Sequence, residues 1–196
     1  MSQLRADLAI IAQHIPSGAR VLDIGCGDGE LMSVLRDERN VDARGLEIDP
    51  ENVELCVSRG LSAIQGDANR DLAEYPDGAF DYAILSQTLQ TAARPDRMLD
   101  ELLRVGRQAF VSFPNFGYWR MRFDLLFNGH MPVTRHLPVS WYATENIHHL
   151  TIADFEALIA EKGVKVENSW FFAHGGQVGR TFANWRAEHA VFQLSR

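Results

Sequence analysis

Nine residues near the amino terminus, Val21-Leu22-Asp23-Ile24-Gly25-Cys26-Gly27-Asp28-Gly29, constrain this chain more than any other stretch. Val21 to Ile24 is a short apolar run interrupted by one carboxylate, the pattern of a buried strand. The turn after it has glycine at every second position. Glycine permits positive φ and leaves no side chain between the backbone and an approaching ligand. Beyond Gly29, Leu31, Val34 and Leu35 fall on one face of a helically spaced run. Strand, glycine loop and helix make the first half of a nucleotide-binding βαβ unit. The stretch gives the class of ligand and leaves the chemistry open.

The rest of the chain repeats the alternation. Leu4, Leu8, Ile11 and Ile15 predict an amphipathic helix over 2–15, ended by Pro16-Ser17-Gly18. Strands are expected at 43–47, 62–65, 80–85 and 109–113, with 66–68 as the exit turn of the second of these. Asp49-Pro50 reads as an N-cap with proline at the first helical position, opening a helix to about Arg59. Another helix spans 95–105. Thr151 and Asp154 predict a capped start for a helix over 152–162, with Gly163 just past its end. Closing strands follow at 164–172 and 188–194, the last at or near the sheet edge. The glycine-rich run 175–180 reads as a hairpin between them. Strands alternating with helices require right-handed crossovers. The fold class is therefore α/β, a three-layer, doubly wound and mostly parallel sheet.

Residues 1–196 read as a single domain, with an insertion at about 115–150 that lacks clean periodicity and is rich in aromatic residues and histidine. A stretch of this length within a compact domain is usually a lid or a partner-facing segment. The net charge of -7 argues against nucleic acid, whose phosphates call for a basic surface. Two cysteines, Cys26 and Cys56, suit neither a disulfide framework nor a metal site. No apolar run reaches membrane-spanning length and no signal-peptide pattern is visible, so a cytoplasmic setting is expected.

Glycine loops serve NAD, FAD and S-adenosylmethionine (SAM) alike, and two details favour SAM. A dinucleotide fingerprint places a small residue where the pyrophosphate meets the helix amino terminus. Here Glu30 stands there with Asp28 beside it, and both carboxylates would repel a pyrophosphate. SAM carries ammonium and sulfonium groups instead, and Asp23 is placed to face the ammonium. Glu47, 22 residues after Gly25, ends the second strand where a carboxylate accepts both ribose hydroxyls. Asp67 ends the third strand within reach of an adenine amino group; its competing reading is an ordinary turn aspartate. Cys26 fills a tight loop. The candidate cofactor-binding set is Asp23, Gly25, Cys26, Gly27, Glu47, Ile48, Asp67, Ala68 and Ser86, with SAM or S-adenosylhomocysteine as ligand and no metal.

The runs at 21–29, Gly45-Leu46-Glu47-Ile48-Asp49, Gly66-Asp67-Ala68 and Phe80-Asp81-Tyr82-Ala83-Ile84-Leu85-Ser86 resemble the class I SAM-dependent methyltransferase fold. That resemblance implies seven strands, the last antiparallel. Many small-molecule methyltransferases of that type carry a Glu-His or similar pair after the fourth strand. This chain has Ser86-Gln87-Thr88-Leu89-Gln90-Thr91 there, which weakens any inference of catalysis from the fold. That run, with Phe-Pro-Asn-Phe-Gly-Tyr-Trp at 113–119 and Trp-Tyr-Ala-Thr-Glu-Asn-Ile-His at 141–148, is similar to the MetW family of methionine biosynthesis over nearly the whole chain. The resemblance implies an accessory protein that supports homoserine O-acyltransferase. Methyl transfer to a small acceptor is the alternative.

A transferase acting on oxygen or nitrogen needs a base within hydrogen-bond reach. Tyr118, His130, His136, Tyr142, His148 and His149 are the candidates, and spacing singles out none of them. Arg120 and Arg122 with Trp119 and Phe123 read either as a recognition rim for a carboxylate or partner, or as lid packing. The acidic helix entrance generates the first prediction. Titration calorimetry should show binding of SAM or S-adenosylhomocysteine and none of NAD; tight NAD binding without SAM binding would overturn the assignment.

Overall fold

The computed structural model describes residues 4–133, 139–140 and 143–196. Helix α1 (Ala6–His14) precedes β1 (Arg20–Ile24), α2 (Glu30–Arg39), β2 (Asp42–Glu47), α3 (Pro50–Ser58), β3 (Ser62–Gln65) and α4 (Ala68–Asp71). Next come β4 (Phe80–Ser86), α5 (Pro95–Val105) and β5 (Gly106–Pro114). Helix α6 (Trp119–Phe123) runs directly into a π-helical turn, Asp124–Asn128. The chain closes with α7 (Ile152–Glu161), β6 (Lys165–Ala173), β7 (Gly176–Val178), α8 (Ala183–Arg186) and β8 (His189–Ser195). One sheet takes all the strands in the order β3-β2-β1-β4-β5-β8-β6-β7. The first five are mutually parallel, and β8 runs antiparallel to β5 and β6.

The local signals act where they stand. Asp49 Oδ1 accepts a hydrogen bond from the Glu51 N–H at 2.9 Å and Pro50 opens α3. Thr151 and Asp154 form a reciprocal capping box at the start of α7, which satisfies two of its orphan donors. Two expectations are corrected. The sheet has eight strands rather than seven, because Gly176–Val178 folds back on Phe171–Ala173 as a short extra edge. The carboxyl-terminal strand is interior rather than at the edge. His189 to Leu194 are all buried, and a strand covered on both faces needs both neighbours. The expected exit turn at 66–68 also carries more structure: the Asp67 side chain caps α4 by accepting from the Asn69 N–H.

Alternation along the strands sorts the side chains into two layers. Val21, Ile84, Phe110 and Val191 pack under α1 and α2. Leu22, Ile24, Leu85, Val111 and Phe192 pack under α5 and α7, whose buried faces include Leu99, Leu102 and Phe155. On the α1 side the same alternation brings Asp23, Ser86, Ser112 and His189 to the carboxyl ends of the parallel strands.

One buried side chain organises the start of the segment after β5. Asn115 is buried; its amide donates to the carbonyls of Asn184 and Ala187, and its oxygen accepts from the N–H groups of Gly117 and Ile152. One residue thereby joins the turn before α6, the start of α7 and both ends of α8. Further along, the N–H groups of Ile147 and His148 both donate to the Gln90 carbonyl, pinning 147–148 to the turn after β4. His136, Trp141 and Tyr142 lie outside the described residues. Replacing Asn115 by alanine leaves four backbone groups without their partner, three of them in buried hydrogen bonds, at about 1–3 kcal/mol for each buried group before relaxation. Asn115→Ala should therefore lose at least about 3 kcal/mol in urea unfolding; a loss under about 1 kcal/mol would show that water replaces the side chain.

Candidate functional site

In an open parallel sheet, ligands bind outside the carboxyl ends of the strands where the winding direction reverses. Here the reversal lies between β1 and β4, which are neighbours although two strands and three helices separate them in sequence. The loop after β1 and the turn after β4 face each other across that crevice.

Two glycines of the loop differ in what they require. A Cβ on Gly25 would come within 2.5 Å of Thr88 Oγ1, so this glycine lets the loop close on the post-β4 turn. A Cβ on Gly27 would meet nothing within 4 Å. Gly27 has φ near +55°, which L side chains rarely adopt, and its open side faces space that a ligand can use. The Cys26 side chain turns the other way and packs with Met32, Cys56 and Leu61; burial pushes its thiol well above the usual range. Cys26 therefore offers the crevice its backbone.

Asp23 is buried at the end of β1, and none of the described residues donates a hydrogen bond to it. Burial pushes its carboxyl up to about 7; nearby Arg5 opposes the rise and Glu47 adds to it. A buried carboxylate without a donor is costly unless a cation arrives to pair with it. The ammonium of an amino acid is such a cation.

Glu47 is also buried and its carboxylate is already engaged. Oε2 accepts from the Gly27 N–H at 2.7 Å, and Oε1 from the N–H groups of Ile48 and Asp49 at 2.8 and 3.0 Å. The residue that ends β2 thus holds the glycine loop in place, and one lone pair, on Oε2, remains for a further donor. Beside it the Ile48 side chain is 63% exposed, an apolar surface on which a purine ring can lie. Asp67 accepts from the backbone and side chain of Asn69, which holds its carboxyl below the usual range. Ala68 follows it as the first residue of α4. Asp28, at the helix entrance, is paired with Arg59 at 3.0 Å.

The Ser86 hydroxyl donates to Asp7 Oδ2 and lies 3.1 Å from the Ser112 hydroxyl, which also donates to Asp7. Arg5 bridges Asp7 and Ser86. Burial would raise the Asp7 carboxyl, but Arg5, the Ser112 hydroxyl and His189 outweigh it and hold it low. Arg5, Asp7, Ser112, Thr88 and Gln90 border the candidate site, and the sequence pattern did not single them out. Asp7 reads as an ordinary first-turn acid of an amphipathic helix, and Ser112 meets it across 105 positions. The polar Ser-Gln-Thr-Leu-Gln-Thr run at 86–91 was the available signal for Thr88 and Gln90.

The acid–base candidates are scattered. Tyr118 is buried beside Trp119, its ring 6.5 Å from that of His174. The His149 ring packs edge-on against Phe116 at 4.6 Å. His148 is anchored through its backbone to Gln90. Among the described residues, no hydrogen bond or ring contact joins any of the four described candidates to Asp23 or the glycine loop.

The family model described as methionine biosynthesis protein MetW matches residues 5–194. The bifunctional methionine biosynthesis protein MetXA/MetW of Rhodopirellula baltica is 35% identical over 178 residues, covering 86% of this chain and 29% of that protein. The ubiquinone biosynthesis O-methyltransferase of Xylella fastidiosa is 33% identical over 117 residues, 55% of this chain and 47% of that protein. The chain thus spans less than half the length of these curated relatives. A SAM-dependent methyltransferase from Archaeoglobus fulgidus superposes with a TM-score of 0.72 at 14% identity, over 97% of this chain and 92% of the other. That likeness shows the fold, an α/β sheet of the SAM-dependent methyltransferase kind.

The Asp23 carboxyl predicts a pH profile for cation binding. A carboxyl at about 7 is mostly neutral below that pH, so affinity for SAM should fall up to about tenfold per unit below pH 7. Folding carries the opposite sign: the native state holds this proton more tightly than the unfolded chain, so stability declines from about pH 4 to 7. Asp23→Asn should bind weakly, with an affinity that stays flat between pH 5.5 and 7.5 and no stability slope from this group. A parallel pH dependence in the variant would assign the titration to another residue.

Proposed function

This chain belongs to the MetW family, and we propose that it is a SAM-binding accessory protein of methionine biosynthesis that supports homoserine O-acyltransferase by direct contact. The observation that carries the proposal is the Rhodopirellula protein, whose name joins MetXA to MetW in one chain. Two activities fused in one relative commonly meet as separate chains in another. Fusion raises the effective concentration of partners that already touch.

The site supports the two halves of this reading unequally. Asp23, the open face of Gly27, Glu47 and Ile48 fit a ligand with an ammonium, a ribose and an adenine. SAM when bound would supply a transferable methyl group on a sulfonium. Among the described residues, none of the candidate bases Tyr118, His130, His148 and His149 is hydrogen-bonded to Asp23 or the glycine loop. The hydroxyls at the carboxyl ends of β4 and β5 are engaged by Asp7 and Arg5 from α1 and its amino-terminal flank. In this reading SAM or S-adenosylhomocysteine acts as an effector. An effector shifts an equilibrium only through differential affinity, so the free and complexed forms must bind it unequally. The setting proposed is the cytoplasm, without nucleic acid or membrane as partner. The net charge of -7 suits that, and no helix of the described residues is long and apolar enough to cross a membrane.

The test is acyltransferase turnover measured against added protein, with SAM and S-adenosylhomocysteine varied, alongside co-purification of the two proteins. Stimulation that saturates near equimolar ratio, and shifts with the nucleoside, is the expected outcome. No stimulation at any ratio, together with methyl transfer to a small acceptor, would replace the accessory role with an enzymatic one.

A further inference from the structure

Two stretches far apart in sequence meet on the surface and leave their aromatic side chains uncovered. Trp119 and Phe123 of α6 lie 6.0 Å apart between ring centroids, and Phe123 stacks on Phe127 at 5.5 Å. Trp185 of α8 meets Phe123 edge-on at 5.8 Å, with the Arg122 guanidinium 5.4 Å from its ring centre. Between them is a concavity of about 420 Å³ whose lining includes Trp119, Phe123, His174, Val178, Trp185 and Arg186. Phe127, stacked on Phe123, is 72% exposed, and so is Leu126 before it in the chain; Phe182, just before α8, is 76% exposed. Single exposed apolar residues are ordinary, whereas a continuous set ringed by polar groups marks a binding surface. Phe182 also has φ near +56°, a conformation that is unfavourable for a bulky residue, and its carbonyl accepts from Trp185 and Arg186 to start α8.

The charge of this face says what covers it. Arg120, Arg122 and Arg186 are exposed here against two acids, Asp124 and the half-buried Glu188 that contacts His174, in a chain whose net charge is -7. The local sign is thus the reverse of the whole molecule's. A second copy meeting this face through a two-fold axis would set arginines against arginines. An anionic bilayer would attract the patch and repel the rest of the chain, and the rings enclose a hollow rather than forming a flat apolar stripe. A protein segment with an apolar anchor flanked by carboxylates satisfies both the hollow and the arginines. Tryptophan, other aromatics and arginine around a pocket are the composition in which interface energy concentrates.

Resting on the accessory reading above, we infer that the face formed by α6, the π-helical turn and α8 docks homoserine O-acyltransferase, receiving an apolar side chain from an acidic segment of that enzyme in the Trp119–Trp185 hollow. The docking face and the crevice at Asp23 are separate surfaces, so each can be damaged without the other.

The test uses the full chain and the acyltransferase of the same organism, with binding followed by biolayer interferometry. Phe127→Ala and Trp185→Ala should each weaken the complex about thirtyfold or more, with SAM affinity unchanged. Arg122→Glu should weaken it and reduce its salt dependence. Phe182→Gly supplies a readout that a packing role would not give: thermal stability should rise, as glycine relieves the left-handed backbone, while acyltransferase affinity falls. Wild-type binding that all four variants retain would overturn this face and leave the direct complex standing. Absence of wild-type binding would overturn both the face and the accessory reading. Self-association, or co-sedimentation with phosphatidylglycerol vesicles, lost in Trp185→Ala while acyltransferase binding persists would assign the face to a second copy or a membrane and overturn the inference.

Discussion

Everything in this molecule is referred to β1, a strand hydrogen-bonded in parallel to β2 on one side and β4 on the other. A strand in that position has both faces covered, so its side chains must be apolar or specifically satisfied. Val21, Leu22 and Ile24 comply. Asp23 is the exception, and the energetic cost of its burial falls at the point where the winding of the sheet reverses and a ligand can enter. The same pairing that makes the fold therefore leaves a buried carboxyl at a place where a cation can pair with it.

Physical contact continues outward from that strand. Glu47 holds Gly27, Gly25 lies against Thr88, and the Thr88 hydroxyl bonds the Ser86 carbonyl. Two residues on, the Gln90 carbonyl takes both Ile147 and His148. Leu150 in turn accepts from Phe116, next to the Asn115 hub that fixes the turn before α6 and both ends of α8. The glycine loop and the aromatic face are thus linked through contiguous packing and hydrogen bonds. Continuity of this kind is a route by which two sites can bias one another, and becomes coupling only if the linked elements have two arrangements.

Folds of this class accommodate a division of labour in which the carboxyl ends of the sheet supply a ligand crevice and the loops supply the chemistry or the contacts. In this chain the turn after β4 packs against the glycine loop and the 147–148 stretch, and α1 covers the neighbouring hydroxyls. The residues that would carry an acid–base reaction are spread through the aromatic segment, whose described part is organised by Asn115 and by ring stacking.

The local pattern alone determined a good deal. Asp49-Pro50, Thr151 with Asp154 and the glycines flanking the helices mark element ends because capping involves residues a few positions apart, and so does the strand–loop–helix start at 21–29. The alternation of strands and helices fixed a doubly wound sheet, since right-handed crossovers leave few other arrangements. The placement of Asp23, Glu47 and the acidic helix entrance around the glycine loop was legible for the same reason: it follows from their positions within one βαβ unit. The place of the last strand was not, because His189–Leu194 reads alike at an edge or in the interior until β6 covers it. Nor was the Asp7–Ser86–Ser112 cluster, whose members pair across 79 and 105 positions. Nor was the grouping of Trp119 and Phe123 with Trp185. Hydrophobic periodicity reports which side of an element is buried; only tertiary packing decides which distant side chains share a surface.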